Sequence, residues 1–174
     1  TLGEPERRRC AAFVRPLRRR QFIVGRALAR KALGELLGVA PAGIVLAQAP
    51  EQGARLVHPS LMAHLSISHS GPWVACAVGA APLGLDIEVI DPARDVLALA
   101  RQAFGAARSA QLAELPQAER VQRFYSIWCT LEAVFKLGQE PVSTASLPHA
   151  QLGIAVASAL NYYLKHYAHC DIGW

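Results

Sequence analysis

The sequence predicts an α+β fold, because helical and strand patterns occupy separate stretches of the chain. Leu17–Leu37 is a long helical pattern that ends at Gly38, where a helix can stop in a left-handed turn. Short apolar segments of strand length follow between residues 64 and 90. A second long stretch, Glu119–Leu137, contains neither Pro nor Gly and again ends at a glycine. Helix followed by strands therefore occurs twice, which hints at two halves joined near residue 81.

The remaining predicted elements are shorter. A helix is predicted over residues 5–13, and another begins at Asp91–Asp95 and ends near Gly105. The segment 140–148 is predicted to be a loop. Strands are predicted at residues 44–47, 64–68, 73–79, 84–90 and 152–158.

Two acidic residues lie two positions apart on one predicted strand. In Gly84–Glu88, apolar and acidic residues alternate, so Asp86 and Glu88 share the face opposite to Leu85 and Ile87. Two like charges on one strand face repel each other, and a divalent cation with oxygen ligands would offset them. Glu132, about forty residues later, could complete the carboxylate set.

The predicted helix that contains Glu132 also carries a lysine one turn later. Trp128, Glu132 and Lys136 are spaced i, i+4, i+8 and share one stripe of the helix. A carboxylate and an ammonium group one turn apart suit a site that binds both a metal ion and a phosphate. The alternative is an ordinary ion pair on the helix surface.

A third segment, Leu65–Val78, predicts two strands joined by a turn at Ser70-Gly71-Pro72. His69 falls where the first strand ends, which is a suitable place to present a ring to a ligand. The alternative is a histidine whose hydrogen bonds are satisfied within the turn.

The composition limits the classes of function. About half of the residues, 52%, are apolar, which argues against disorder, and the longest apolar stretch is too short and too interrupted to cross a membrane. Residues 1–31 contain ten Arg and Lys against two Glu, so this segment is a candidate anion-binding surface. A nucleic-acid partner is the first alternative, but the segment has few aromatic residues and no nucleic-acid motif. The four cysteines show no metal-ligand spacing, which favours a reducing cytoplasm.

Three motifs in order resemble those of the 4′-phosphopantetheinyl transferases, and most closely the surfactin-type branch. They are Ser66-Ile67-Ser68-His69-Ser70-Gly71 followed by Trp73, then Gly84–Glu88, then Trp128 with Glu132-Ala133 and Lys136. The resemblance extends from about Glu6 to about Val156. It implies one transferase domain over residues 1–174, built from two similar α+β halves, about 1–81 and 82–174, related by pseudo-twofold symmetry.

The resemblance also implies an activity and roles for individual residues. The family transfers the 4′-phosphopantetheine arm of coenzyme A to a serine of an acyl or peptidyl carrier protein with the help of Mg²⁺. Glu132 would be the general base, assisted by Lys136 and Asp86. The implied metal ligands are Asp86, Glu88 and Glu132. The implied coenzyme-binding residues are Ser68, His69, Lys136, Arg9, Arg20 and Arg55.

The partners expected on this basis are coenzyme A and an acidic carrier protein, with no nucleic acid and no membrane. A monomer suffices because both halves lie in one chain. Leu131 stands where the family usually has lysine, which motivates an alternative, a non-catalytic module that binds coenzyme A or a carrier protein. A Mg²⁺-dependent phosphohydrolase or nuclease is a third hypothesis, for which no motif is found.

Overall fold

A computed structural model describes residues 2–49, 53–57, 62–160 and 167–171. The helices are α1 (Glu4–Ala11), α2 (Pro16–Leu37), α3 (Val96–Phe104), α4 (Ala106–Ala113) and α5 (Gln117–Leu137), with a 3₁₀ turn at Pro41–Gly43. The strands are β1 (Leu46–Ala49), β2 (Gly53–Leu56), β3 (His64–Ser70), β4 (Trp73–Gly79), β5 (Leu83–Val89), β6 (Ser143–Ser146), β7 (Leu152–Ser158) and β8 (Tyr167–Asp171).

The predicted α+β class is confirmed, and so are both long helices with their glycine ends. Gly38 and Gly138 have φ of 68° and 75°, the left-handed conformation in which glycine commonly ends a helix. The prediction of a loop at 140–148 is wrong, because Ser143–Ser146 pairs with β7 as an edge strand. Sequence reasoning also missed β2 and the separate helix α4.

The eight strands form two antiparallel sheets of three strands and one short ribbon. The sheets have the strand orders β3-β4-β8 and β5-β7-β6, and the ribbon is β1-β2. Helix α2 packs on the first sheet and α5 on the second. Because β8 pairs with β4, the chain returns to the first sheet after residue 160. The division at residue 81 and the pseudo-twofold symmetry remain predictions.

Strand β5 has two different faces, as its alternating sequence predicts. Leu85 and Ile87 belong to a buried apolar cluster on one face, with strand residues of β4 and β7. On the other face, a Cβ atom added to Gly84 would lie 1.9 Å from the carbonyl oxygen of Ala133 in α5. The missing side chain therefore lets α5 lie directly on β5, which brings the helix over the acidic residues that follow Gly84.

Other features agree with the composition. Cys76 and Cys129 are buried, and burial raises the pKa of the Cys76 thiol to about 12. No helix within the described ranges is long and apolar enough to cross a bilayer.

Candidate active site

A ladder of three serines joins strand β3 of the first sheet to strand β5 of the second. The hydroxyl oxygens of Ser66, Ser68 and Ser70 accept hydrogen bonds from backbone N–H groups of β5. The donors are the amides of Leu85 at 3.0 Å, Ile87 at 3.2 Å and Val89 at 3.0 Å. The two strands therefore run side by side in the same direction, and side chains take the place of the backbone partners that edge amides need. We call Ser66, Ser68 and Ser70 the serine ladder.

Two members of the serine ladder also donate to the predicted carboxylates. The Ser68 hydroxyl donates to Asp86 Oδ1 at 2.9 Å, and the Ser70 hydroxyl donates to Glu88 Oε2 at 2.7 Å. Ser66 accepts the hydrogen bond from the β5 backbone but, in the described residues, donates to no carboxylate. The ladder therefore serves both as a junction between the sheets and as a support for the acidic pair.

Asp86 is the most deeply buried member of the predicted site. Its side chain is 6% exposed, and Oδ1 accepts a second hydrogen bond from Lys136 Nζ at 2.7 Å. The same ammonium group donates to Ser68 at 3.0 Å and to the carbonyl of Leu85 at 3.2 Å. The second carboxylate oxygen, Oδ2, is buried and has no hydrogen-bond partner. An unpaired buried carboxylate oxygen is costly, so this atom fits a cation.

Lys136 and Ser68 are both engaged more fully than the sequence suggested. Both were predicted to contact phosphate, yet here both contact Asp86. Because Ser68 is buried and already has three polar partners, a phosphate contact would require it to release one of them.

Glu88 lies on the same face of β5, two residues after Asp86. Burial raises the pKa of its carboxyl group, the Ser70 hydrogen bond lowers it, and the charge of Asp86 raises it further. Binding of a divalent cation would relieve this repulsion between neighbouring carboxylates. The donor set therefore fits Mg²⁺, which prefers carboxylate oxygens.

Glu132 is not part of this pair. Within the described part of the chain, no three His, Cys, Asp or Glu side chains are close enough to hold a metal ion together. The predicted set of Asp86, Glu88 and Glu132 is therefore not assembled, because Lys136 lies against Asp86 from the α5 side. Glu132 lies one turn before Lys136 on α5 and is half-buried.

His69 faces a cation that sequence reasoning missed. Its Nε2 lies against Nη1 of Arg18 in α2, so the ring must accept a hydrogen bond and stay neutral. Burial of part of the ring, the charge of Arg18 and the charge of Lys136 lower the pKa of His69 to about 4. A group surrounded by positive charge in this way attracts an anion.

Arg18 is held in place by Phe13, between α1 and α2, and by Gln21 of α2, which itself bonds to the β3–β4 turn. It donates to Gln21 at 2.7 Å, and Gln21 donates to the carbonyl of Gly71 at 2.9 Å. Its guanidinium group lies 5.6 Å from the centre of the Phe13 ring, and Arg9 lies 6.0 Å from the same ring. The predicted residue Arg9 is therefore close to Arg18.

The other two predicted arginines lie elsewhere. Arg20 is exposed and, two residues after Arg18, lies on the opposite side of α2. Arg55 is exposed on β2, opposite Ala47. Helix periodicity could have chosen Arg18 over Arg20 only if the buried side of α2 near its start had been known.

A second buried charge cluster lies further along α2. Glu6 accepts a hydrogen bond from Arg30 Nη2 at 2.5 Å, and its other oxygen lies 3.6 Å from Arg26 Nε. Arg26 donates to Gln48 at 2.6 Å, while its Nη1 is buried without a hydrogen bond. These three charged residues border a cavity of about 610 Å³ together with Arg9 and Phe22.

Comparison with known proteins identifies the family of this chain. A model of the 4′-phosphopantetheinyl transferase superfamily matches residues 82–168, half of the chain, which includes Asp86, Glu88, Glu132 and Lys136. A 4′-phosphopantetheinyl transferase of Bacillus subtilis is 29% identical over 135 residues, covering 78% of this chain and 59% of that protein. HetI, a 4′-phosphopantetheinyl transferase of Nostoc, is 32% identical over 141 residues, with the same coverage of 78% and 59%.

A further relative is Sfp, a 4′-phosphopantetheinyl transferase of Bacillus subtilis. It is 36% identical over 74 residues, covering 42% of this chain and 32% of Sfp. The chain thus spans 59% of the length of the first two relatives. The matched model and the likeness to Sfp confirm both the predicted family and its surfactin-type branch: the chain belongs to the 4′-phosphopantetheinyl transferase superfamily.

Proposed function

We propose that this protein transfers the 4′-phosphopantetheine arm of coenzyme A to a serine hydroxyl of an acyl or peptidyl carrier protein. The observation that carries the proposal is the acidic pair of buried Asp86 and half-buried Glu88, which the serine ladder supports and Lys136 of α5 contacts at Asp86. The negative charges of a pyrophosphate and of the acidic pair repel each other, so positive charge is needed between them. A metal ion together with Lys136 would supply this positive charge.

In the proposed reaction, the serine oxygen of the carrier attacks the β-phosphorus of coenzyme A. A new oxygen–phosphorus bond forms, and the bond from the β-phosphorus to the oxygen that bridges the two phosphates breaks. The leaving group, 3′,5′-adenosine bisphosphate, takes the bonding electron pair with that oxygen. The serine proton passes to the Glu132 carboxylate, directly or through water.

Mg²⁺, when bound, would screen the charge of the pyrophosphate and orient it for attack. Asp86 and Glu88 would hold the ion, with Glu132 as a third carboxylate on the facing helix. Before the coenzyme binds, the ammonium group of Lys136 would neutralise part of the negative charge of Asp86. The serine ladder would fix the positions of both carboxylates on β5.

The basic side chains of the first half would bind the remaining phosphate of coenzyme A. Arg18 lies against the neutral ring of His69, and Arg9 and Arg18 both lie near the Phe13 ring, so two positive charges are close to His69. Further along α2, the cavity beside Phe22 and Arg26 could take the adenine ring, because an aromatic ring and a guanidinium group both stack on bases. Arg18 is the main addition to the predicted binding set, and Arg20 is the weakest member of it.

The proposal is tested by intact-mass spectrometry of a panel of apo carrier proteins incubated with this protein, coenzyme A and Mg²⁺. We expect one phosphopantetheine arm to be added to at least one carrier. Glu132→Gln should slow transfer by about 10²–10⁴-fold while much of the coenzyme binding persists, because the proton acceptor is lost and Asp86 and Glu88 remain to hold the ion. A Glu132→Gln variant with the wild-type rate would exclude Glu132 as the base.

One observation favours a second candidate, a non-catalytic module that binds coenzyme A or a carrier protein. In the described residues the three carboxylates do not form a metal cluster, and Lys136 already pairs with Asp86. Absence of mass gain on every carrier, together with measurable coenzyme binding by calorimetry, would select this candidate.

A further inference from the structure

Helix α5 carries an apolar stripe that is buried at one end and exposed at the other. Phe124, near the start of the helix, is 1% exposed and packs against Phe104 of α3, with ring centres 5.5 Å apart. Seven and eleven residues later, Leu131 and Phe135 continue the same side of the helix and are 42% and 81% exposed. Helices α3 and α4 cover only the first part of the stripe. We call Leu131 and Phe135 the exposed α5 stripe.

A groove of about 600 Å³ adjoins the exposed α5 stripe, between α4, α5 and β6. Leu131 belongs to the groove, and so do two arginines, Arg108 and Arg123. Among the described residues that line it there is no carboxylate. The groove therefore combines apolar side chains with positive charge, which is complementary to an acidic amphipathic surface.

The exposed α5 stripe lies beside the candidate active site. Lys136 points from α5 to Asp86, so that side of the helix faces the acidic pair. By the 3.6-residue period of the helix, Glu132 lies between this side and the exposed α5 stripe. A partner bound to the stripe would therefore be next to Glu132, the residue proposed to accept the serine proton.

We propose that the exposed α5 stripe and the adjoining groove dock the acidic helical surface of the carrier protein. This inference rests on the proposed function and adds the place where the partner binds. Burial of Leu131 and Phe135 would supply apolar contact, and Arg108 and Arg123 would pair with acidic side chains of the carrier. The basic N-terminal segment is then left to coenzyme A.

The leucine at position 131 can also be explained in a second way, which predicts different experimental results. It stands where lysine is usual in the family, so it could simply be a lost cation near the phosphates. Under that explanation, Leu131→Lys tightens coenzyme binding or raises kcat and leaves the carrier unaffected. Under the docking proposal, the same change puts a charge into an apolar contact and weakens carrier binding.

The experiment measures the affinity of an apo carrier protein for this protein by calorimetry, and separately the steady-state rate with the carrier varied at saturating coenzyme A. We expect Leu131→Lys and Phe135→Ser each to weaken carrier binding by about tenfold and to lower kcat/KM for the carrier equally. The KM for coenzyme A should not change. Arg123→Glu should also weaken carrier binding, with a loss that shrinks at high salt.

Ile23→Lys is the matched control, because Ile23 is an apolar residue on a helix with 45% exposure, close to the 42% of Leu131. It should leave carrier affinity unchanged. Unchanged carrier affinity in both Leu131→Lys and Phe135→Ser would overturn the proposal, and a gain in coenzyme affinity in Leu131→Lys would replace it with the lost-cation explanation. Because binding is measured without turnover, absence of transfer would contradict the proposed function alone.

Discussion

Two charge clusters in the described part of the chain differ in composition. Around Glu6, one carboxylate meets two guanidinium groups, those of Arg26 and Arg30. Around Asp86, two carboxylates, those of Asp86 and Glu88, lie near the ammonium group of Lys136, and the charge of Arg94 also acts on Glu88. In the first cluster, Glu6 Oε1 and a guanidinium nitrogen of Arg26 have no hydrogen bond, although Glu6 Oε1 lies 3.6 Å from Arg26 Nε. In the second cluster, a carboxylate oxygen of Asp86 has none.

This difference separates a cluster that holds the fold from one prepared for a ligand cation. Glu6 joins α1 to α2 through ion pairs whose members are at most 10% exposed, so its charge is needed to keep two arginines inside the protein. Asp86 is equally buried, but Lys136 reaches solvent with 31% of its side chain exposed. The counter-charge of Asp86 is therefore less enclosed than that of Glu6.

The largest effect is expected from Glu6→Gln. Removing this carboxylate leaves Arg26 and Arg30 buried without a counter-charge, and we expect the free energy of unfolding to fall by about 3–5 kcal/mol. Urea denaturation of the variant measures the loss. Glu4→Gln is the control, because Glu4 lies on the same helix and pairs with Arg7 and Arg8 at the surface, where a pair contributes about 1 kcal/mol or less. Equal losses in the two variants would contradict the structural role of the Glu6 cluster.

A smaller and more specific effect is expected from the serine ladder. Ser66→Ala and Ser70→Ala each remove the hydrogen bond from one backbone amide of β5, which should lower the free energy of unfolding by about 1 kcal/mol. Only Ser70 also holds Glu88, so only Ser70→Ala should weaken the Mg²⁺-dependent binding of coenzyme A, by several-fold.

Ser70→Thr tests whether the hydroxyl is responsible, because it restores the donor. Calorimetric titration of coenzyme A with and without Mg²⁺ measures all three variants. If Ser66→Ala and Ser70→Ala weaken coenzyme binding equally, the ladder is only a junction between the sheets and does not position Glu88.

The smallest effect is expected from His69, whose ring should take up protons when coenzyme A binds. Its pKa of about 4 means that the ring is neutral at pH 5.5, and a bound phosphate would raise that pKa. Binding of coenzyme A should then take up protons, so the affinity for coenzyme A should increase as pH falls from neutral towards 5.5. Calorimetry in two buffers with different ionisation enthalpies measures the uptake, and His69→Gln should reduce it. Equal uptake in both proteins would remove His69 from the phosphate site.

Much of the fold could be predicted, because the elements that carry the core have strong periodicity. Leu17–Leu37, Glu119–Leu137 and the alternating strand Gly84–Glu88 were all recognisable from spacing alone. By contrast, Ser143–Ser146 has no apolar alternation and is mostly exposed, so only its pairing with β7 makes it a strand. Edge strands of this kind depend on tertiary partners.

The site was predicted less completely, for a similar reason. The alternation of Ser66, Ser68 and Ser70 is visible in the sequence, but their partners lie on a strand that is not joined to β3 by a turn. The contact of Arg18 with His69 joins residues 51 positions apart. Local patterns identify such residues as polar and periodic, while the fold decides which of them meet.

The most direct test of the Asp86 site is calorimetric titration of coenzyme A into the wild-type protein and into Asp86→Asn, each with and without Mg²⁺. Asparagine keeps the shape and one oxygen of the side chain and removes the charge. We predict that Mg²⁺ tightens coenzyme binding to the wild type by tenfold or more, at about 1.4 kcal/mol per factor of ten, and has no effect on a folded Asp86→Asn variant. The same Mg²⁺ response in both proteins would contradict a cation site at Asp86.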